Sequence, residues 1–156
     1  MVSIPIVGDA APEGNETFFV NLGVVSGATR ADWQAVATIY NDDGPTLSVS
    51  DATISEGNVG TRTATFTVSL SKAAPAPVTY SVATFDGSAK AGSDYVASAL
   101  ANETIPAGML SRTFAVTING DVDPEANETF LVAVTRPSAG TTLFRNKGTG
   151  TITNDD

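Results

Sequence analysis

The sequence predicts an all-β chain built as an antiparallel β-sandwich. Three observations carry that expectation. Apolar and polar residues alternate with a period of two. Turn residues punctuate the chain at short intervals. No helical apolar stripe of useful length interrupts them.

The elements follow in order. TLSVSDAT, from residue 46, opens the best-formed unit. In TATFTVSL, Ala64, Phe66, Val68 and Leu70 alternate with Thr and Ser. Val78, Tyr80 and Val82 do the same in PVTYSVAT, and Phe114, Val116 and Ile118 in RTFAVTI. ETFLVAV supplies Phe130, Val132 and Val134, and GTGTITN closes the chain. β-branched and aromatic residues fit such half-buried pleated segments. Turn signals separate them: Glu56-Gly57-Asn58, Asp86-Gly87, Pro106-Ala107-Gly108, Asn119-Gly120-Asp121 and Ser138-Ala139-Gly140. About seven short strands at this spacing predict a sandwich.

A long repeat organises the chain. VSIPIVGDAAPEGNETFFVNL (2–22) aligns with FAVTINGDVDPEANETFLVAV at an offset of 112 residues (2 to 114). ATIYNDD (37–43) aligns with GTITNDD at 113 (37 to 150). A period of domain length marks a tandem array. Residues 1–43 are therefore expected to be the last three strands of a preceding repeat, 44–45 a linker, and 46–156 a complete domain. Met1 is expected to cap a fragment of a longer protein. A partial unit of that size buries too little to stand alone. We expect it to be covered by a second chain, as a strand-swapped homodimer through residues 1–43, or by a neighbouring repeat.

Charge and composition narrow the chemistry. Asp and Glu number 17 against 8 Lys and Arg, giving a net charge of −9. That surface suits cations and disfavours nucleic acid or an anionic membrane. No apolar run approaches the roughly 20 residues of a membrane helix, so no membrane insertion is expected. There is no Cys and no His. Histidine-based nucleophilic triads and His/Cys zinc sites are thereby excluded. The remaining metal ligands are oxygens, which suit hard cations. Paired carboxylates also serve glycoside-cleaving enzymes. The chain has no His and few aromatics to stack a sugar, and no enzymatic activity is expected.

The acids cluster in turns. Glu56 follows the first strand. Asp94 lies in DGSAKAGSDY. Asp121, Asp123, Glu125 and Glu128 lie in NGDVDPEANETF, and Asp155 and Asp156 end the last strand. These turns are expected to gather at one pole. Close carboxylates repel unless a cation neutralises them. Calcium accepts six to eight oxygens in irregular geometry, whereas magnesium demands a tighter octahedron. Each acid also has a local reading. Asp94 and Asp86 suit backbone-binding turn roles, Glu56 a solvated turn acid, and Glu128 a solvent-facing strand start. The alternation Asn119, Asp121, Asp123 mimics an EF-hand loop. It fails at Pro124, where Gly is needed, and at Phe130, where Glu is needed. Asn15, Asn102 and Asn127 each open a formal Asn-Glu-Thr sequon, two of them within the repeated loop. Trp33, Tyr40 and Phe144 are taken as packing aromatics.

ISEGN, DGSAKAGSDY, INGDVDPEANETF and TITNDD, in that order, resemble the Calx-beta domain, a calcium-binding module of sodium–calcium exchangers, integrin β4 and bacterial surface proteins. The resemblance spans nearly all of 45–156, and its terminal pieces recur in 1–43. It implies an immunoglobulin-like sandwich of seven strands with Ca2+ held in loops at one end. By motif position it implies Glu56, Asp94, Asp121, Glu125, Asp155 and Asp156 as ligands, with Glu128 as a further carboxylate. The richest calcium sites of the family have a run of acids where this chain has Asn119-Gly120-Asp121. They have three acids where it has Asn154-Asp155-Asp156. Fewer charges imply fewer ions or weaker binding, and a structural repeat without metal is the alternative. In the leading piece Asp9, Glu13, Glu16, Asp42 and Asp43 match, without counterparts of Glu56 and Asp94. The expected role is an adhesion or spacer module, extracellular or at the cell surface of a bacterium.

Overall fold

The computed structural model describes residues 2–9, 15–23, 26–27, 29, 32–40 and 43–156. Among them every regular element is a strand. The leading piece holds β1 (Glu16–Asn21) and β2 (Gln34–Ile39). The domain that follows holds β3 (Thr46–Val49), β4 (Ala52–Ser55), β5 (Thr61–Leu70), β6 (Val78–Asp86), β7 (Ala99–Ile105), β8 (Ser111–Asn119), β9 (Glu128–Thr135), β10 (Thr142–Arg145) and β11 (Lys147–Thr153).

Two sheets form the sandwich. One has the order β10-β3-β5-β8, the other β4-β11-β9-β6-β7. The alternation seen in sequence is the cause. Ala64, Phe66, Val68 and Leu70 of β5 and Phe114, Val116 and Ile118 of β8 turn inward from one sheet. Val78, Tyr80, Val82, Phe130, Val132, Val134 and Ile152 meet them from the other. Fully burying a side chain of this size contributes about 1.5–3 kcal/mol. Phe130 sits at the centre. Its ring meets Phe66 edge-on at 5.8 Å and stacks on Tyr95 at 4.6 Å. Gly150 of β11 lies directly over the Phe130 ring, with no room for a Cβ.

The expected seven strands are nine in this domain. The first and last strands each break and change sheet. β3 pairs with β5 antiparallel and β10 parallel, whereas β4 pairs parallel with β11. Asp51 pins both breaks together: its carboxylate accepts from the Thr149 amide at 2.7 Å and from the Arg145 guanidinium. Gly148 permits the crossing, because a Cβ there would collide with the Ser50 carbonyl. β7 went unread in the sequence. It is an edge strand, mostly exposed, and its pairing with β6 shifts register between Tyr80 and Val82, near Asn102 at φ 58°.

The leading piece departs from expectation in an instructive way. β1 pairs with β2 in the register of β9 with β11: Glu16 faces Ile39 and Phe18 faces Ala37, as Glu128 faces Ile152 and Phe130 faces Gly150. Residues 2–9, expected to be the third strand, form no strand. Their counterpart, β8, is held by β5 on one side and by residues 94–96 on the other, and the leading piece contains no counterpart of either. The β1–β2 hairpin joins neither sheet of the sandwich. One face of it stays exposed, with Phe19 at 57 % and Val36 at 62 %, whereas Phe18, Val20 and Ile39 on the other face are half-buried.

Candidate metal centre

Strand register gathers four segments at one pole. β5 begins where β8 ends, with Thr61 opposite Asn119, and the Gly120 amide donates to the Gly60 carbonyl at 3.0 Å. β6 ends where β9 begins, with Asp86 opposite Phe130. β4 and β11 run parallel and finish together, Ser55 beside Thr153. The pole is therefore built from the 56–60 turn, the 87–98 loop, the 120–127 loop and the last residues, 154–156.

The 87–98 loop is stiffened from within. Asp86 accepts the Ala91 amide at 3.0 Å and the Tyr95 hydroxyl at 2.7 Å. Those bonds hold the Asp86 carboxyl below its usual range. Burial and the Asp86 bond push Tyr95 up to about 12. Asp86 thus has the turn role read for it. Asp94 combines both roles. One of its oxygens accepts the Lys90 amide at 2.6 Å, and its carboxylate also joins Glu125 and Glu128. One oxygen from each of the three lies within 4.8 Å of the others. Glu128 is pushed up to about 7, first by burial, then by the bond and charge of Asp94, then by Glu125 and Glu56. Burial pulls the Asp94 carboxyl up, but the bonds from the Lys90 amide, Ser93 and Glu128 outweigh it and hold it below its usual range.

Glu56 is the deepest acid of the pole. Only 5 % of it is exposed, and its Oε1 is buried without a hydrogen-bond partner. Burial raises its carboxyl, and the charges of Asp121, Glu125, Asp156 and Asp155 raise it further. The solvated-turn reading of Glu56 does not hold. A buried polar group normally finds a partner, and leaving one unmade costs about 1–3 kcal/mol.

All seven acids named from the sequence thus stand at one pole, with different commitments. Glu56, Glu125 and Glu128 face one another electrostatically. Asp121 Oδ1 accepts the Asp123 amide at 2.9 Å inside its own loop. Asp155 Oδ1 accepts the Gly57 amide at 2.8 Å, which lowers its carboxyl. Asp156 takes a bond from the Asn58 amide group. Asp123 is exposed and offers its backbone carbonyl to Asn154 at 3.1 Å. The leading piece shows less. Asp9 and Glu16 are exposed, and Glu13 and Asp42 lie outside the described residues. Asn119, Asn127 and Asn154 were not read as part of the site, yet their amides bond its loops. Asn119-Gly120 was legible as a turn and as a place where acids are missing, but not as a source of these bonds.

Acid-only, water-edged and borne on loops, this pole has the donor set of a hard-cation site. The class it defines is a binding module on a β-sandwich. The Calx-beta domain family matches residues 1–43 and again 40–156, and the chain belongs to that family. Among solved structures, the apo-form Calx CBD1 domain aligns with a TM-score of 0.60 over 72 % of this chain and 99 % of its own, at 23 % identity, a likeness of fold alone. CBD12 from CALX1.2 aligns at 0.59 with 26 % identity, over 69 % of this chain and 42 % of that one. The calcium binding domain CBD12 of CALX1.1 aligns at 0.58 with 27 % identity, over 67 % and 42 %. No curated protein sequence matches the chain.

Proposed function

We propose that residues 46–156 form a calcium-binding Calx-beta repeat, with Glu56, Asp94, Asp121, Glu125, Glu128, Asp155 and Asp156 as its ligand set. The observation that carries this reading is the buried, partnerless Oε1 of Glu56 among four neighbouring carboxylates. Repulsion of that kind is relieved by a divalent cation, and irregular loop oxygens favour Ca2+ over Mg2+. We read the module as a binding domain and not as a catalyst, as its family membership favours. The apolar groove at the far pole, lined by Pro45, Pro75, Pro77, Ser138 and Thr141, holds no carboxylate.

Residues 1–43 are read as the end of the preceding repeat and 44–45 as the linker. Gly44 sits against the Gly140 carbonyl so closely that no Cβ fits, and the Thr142 amide donates to the Pro45 carbonyl at 3.3 Å. The linker is thus docked on the second domain, and the joint of the array is read as falling just before Gly44. Calcium at that joint would stiffen the array, as suits an adhesion or spacer segment of a bacterial surface or secreted protein. The bare face of β1–β2 is read as covered by a neighbouring repeat or by strand exchange with a second copy. A strictly monomeric species in light scattering, with protected amides across β1 and β2, would count against strand exchange.

The test is thermal melting in excess EDTA, in millimolar calcium and in magnesium. A calcium-specific rise that is lost in a combined Asp121→Asn and Glu125→Gln variant supports the site. Identical melts in all three solutions would overturn it.

A further inference from the structure

Asn119 and Asn154 stand at the two places where counting charges would ask for acids. Asn119 ends β8. Its Nδ2 donates to the Ser93 carbonyl at 2.6 Å and the Gly92 carbonyl at 3.3 Å. Its backbone amide donates to the Asp94 carbonyl at 2.9 Å. Three bonds thus fasten the end of β8 to the residues that present Asp94. Asn154 works on the other side. Its Nδ2 donates to the Asp123 carbonyl at 3.1 Å, its amide donates to Asn127 Oδ1 at 3.1 Å, and its Oδ1 accepts the Asp156 amide at 2.7 Å. One side chain joins the 120–127 loop to the chain end that carries Asp155 and Asp156.

We infer that Asn119 and Asn154 are positioning residues, two amide clamps that set the spacing of the calcium ligands. This rests on the calcium-binding reading above. The chemistry is specific to the amide. A carboxylate only accepts hydrogen bonds, so an aspartate at 119 would aim its oxygens at the carbonyls of Gly92 and Ser93. At 154 it would aim one at the carbonyl of Asp123. Either loop would be driven outward together with its ligand. Position 120 obeys the same restriction: a Cβ there would lie 2.8 Å from the Glu56 carbonyl and closer still to that of Gly57. The missing acids at 119, 120 and 154 are therefore set by backbone carbonyls and by close approach, and they need no loss of metal binding to explain them.

Charge counting and clamping predict opposite signs, so one titration separates them. The full chain and its N119D, N154D and N119A variants are titrated with calcium by calorimetry, and each is melted in EDTA. The clamps predict binding weaker by about tenfold or more in N119D and N154D, despite the added charge, because orienting partners of metal ligands carry effects of that size. N119A, which removes the donors without adding charge, also weakens binding. Affinity equal to or tighter than that of the parent in N119D and N154D overturns the inference. A parent chain that binds no calcium refutes the metal reading separately. The clamps are then decided in EDTA by amide exchange over residues 92–96: faster exchange in N119D supports them, and unchanged exchange refutes them.

Discussion

Replacing Glu56 by Gln removes one charge from the pole while keeping the shape of the side chain. In the metal-free chain Glu56 Oε1 is buried without a partner, and four carboxylates act on it. Freeing a buried group from an unmet bond is worth about 1–3 kcal/mol, and the amide of Gln offers donors to its acidic neighbours. We take about 1–2 kcal/mol as the gain, at the lower end of that range. A domain of this size shifts by about 3–6 °C per kcal/mol. Glu56→Gln should therefore melt about 3–12 °C higher than the parent in EDTA. Calcium reverses the order. At a hundredfold excess over its Kd, a ligand stabilises by about 2.7 kcal/mol. If removing a ligand charge weakens binding about a hundredfold, only about 0.4 kcal/mol of that survives. Differential scanning calorimetry in both solutions reads the crossing. A variant that melts lower in both would make Glu56 a packing residue. One that melts higher in both, with the calcium increment intact, would take it off the ligand set.

Acidity should act on the metal-free chain in an unusual direction. Glu128 is raised to about 7 by burial and by Asp94, so the folded chain holds a proton that the unfolded chain releases. The stability linked to it is present below the ordinary glutamate range and is lost as pH rises toward and through 7. The melting temperature in EDTA should fall between pH 5 and 8, while calcium binding tightens over the same interval. A flat EDTA profile would show that Glu128 is not held above its ordinary range in the folded chain. Gly150→Ala, which drives a Cβ into the Phe130 ring, should cost about 1–3 kcal/mol by chemical denaturation, the usual price of overpacking. A neutral effect would mean that β9 and β11 separate easily. Gly44→Ala should free the linker from the 138–141 loop. Small-angle scattering should then show a broader spread of angles between the two pieces with little change in domain melting, and an unchanged spread would refute the docked linker.

Much of this was legible because periodicity and repetition are local properties. Phe66, Phe114 and Phe130 announced the inward faces, and the aligned 2–22 and 114–134 segments announced the unit. The convergence of the seven acids followed from placing turns at the ends of antiparallel strands. What stayed hidden depended on partners distant in sequence. The break of the first strand needs Asp51 to meet Arg145 and Thr149. β7 lacked clean alternation because its outer half is exposed edge, with Asn102 at a register shift. Residues 2–9 carry a strand-like pattern but pair with no strand among the described residues. The burial of Glu56 was invisible because a turn acid between Ser55 and Gly57 reads as solvated, and only the closure of the 120–127 loop and the chain end covers it.

The split of the first and last strands has a mechanical consequence. β4 lies parallel to β11 and β3 parallel to β10, so the two ends of the domain leave from opposite poles. Tension along an array would pull these neighbours past each other lengthwise. Their hydrogen bonds would then carry the load together, and would not open one at a time. Unfolding under force is governed by the rate of that first rupture. The loops that gather the carboxylates sit where β4 and β11 end, so an ion there would brace the seam that bears the load.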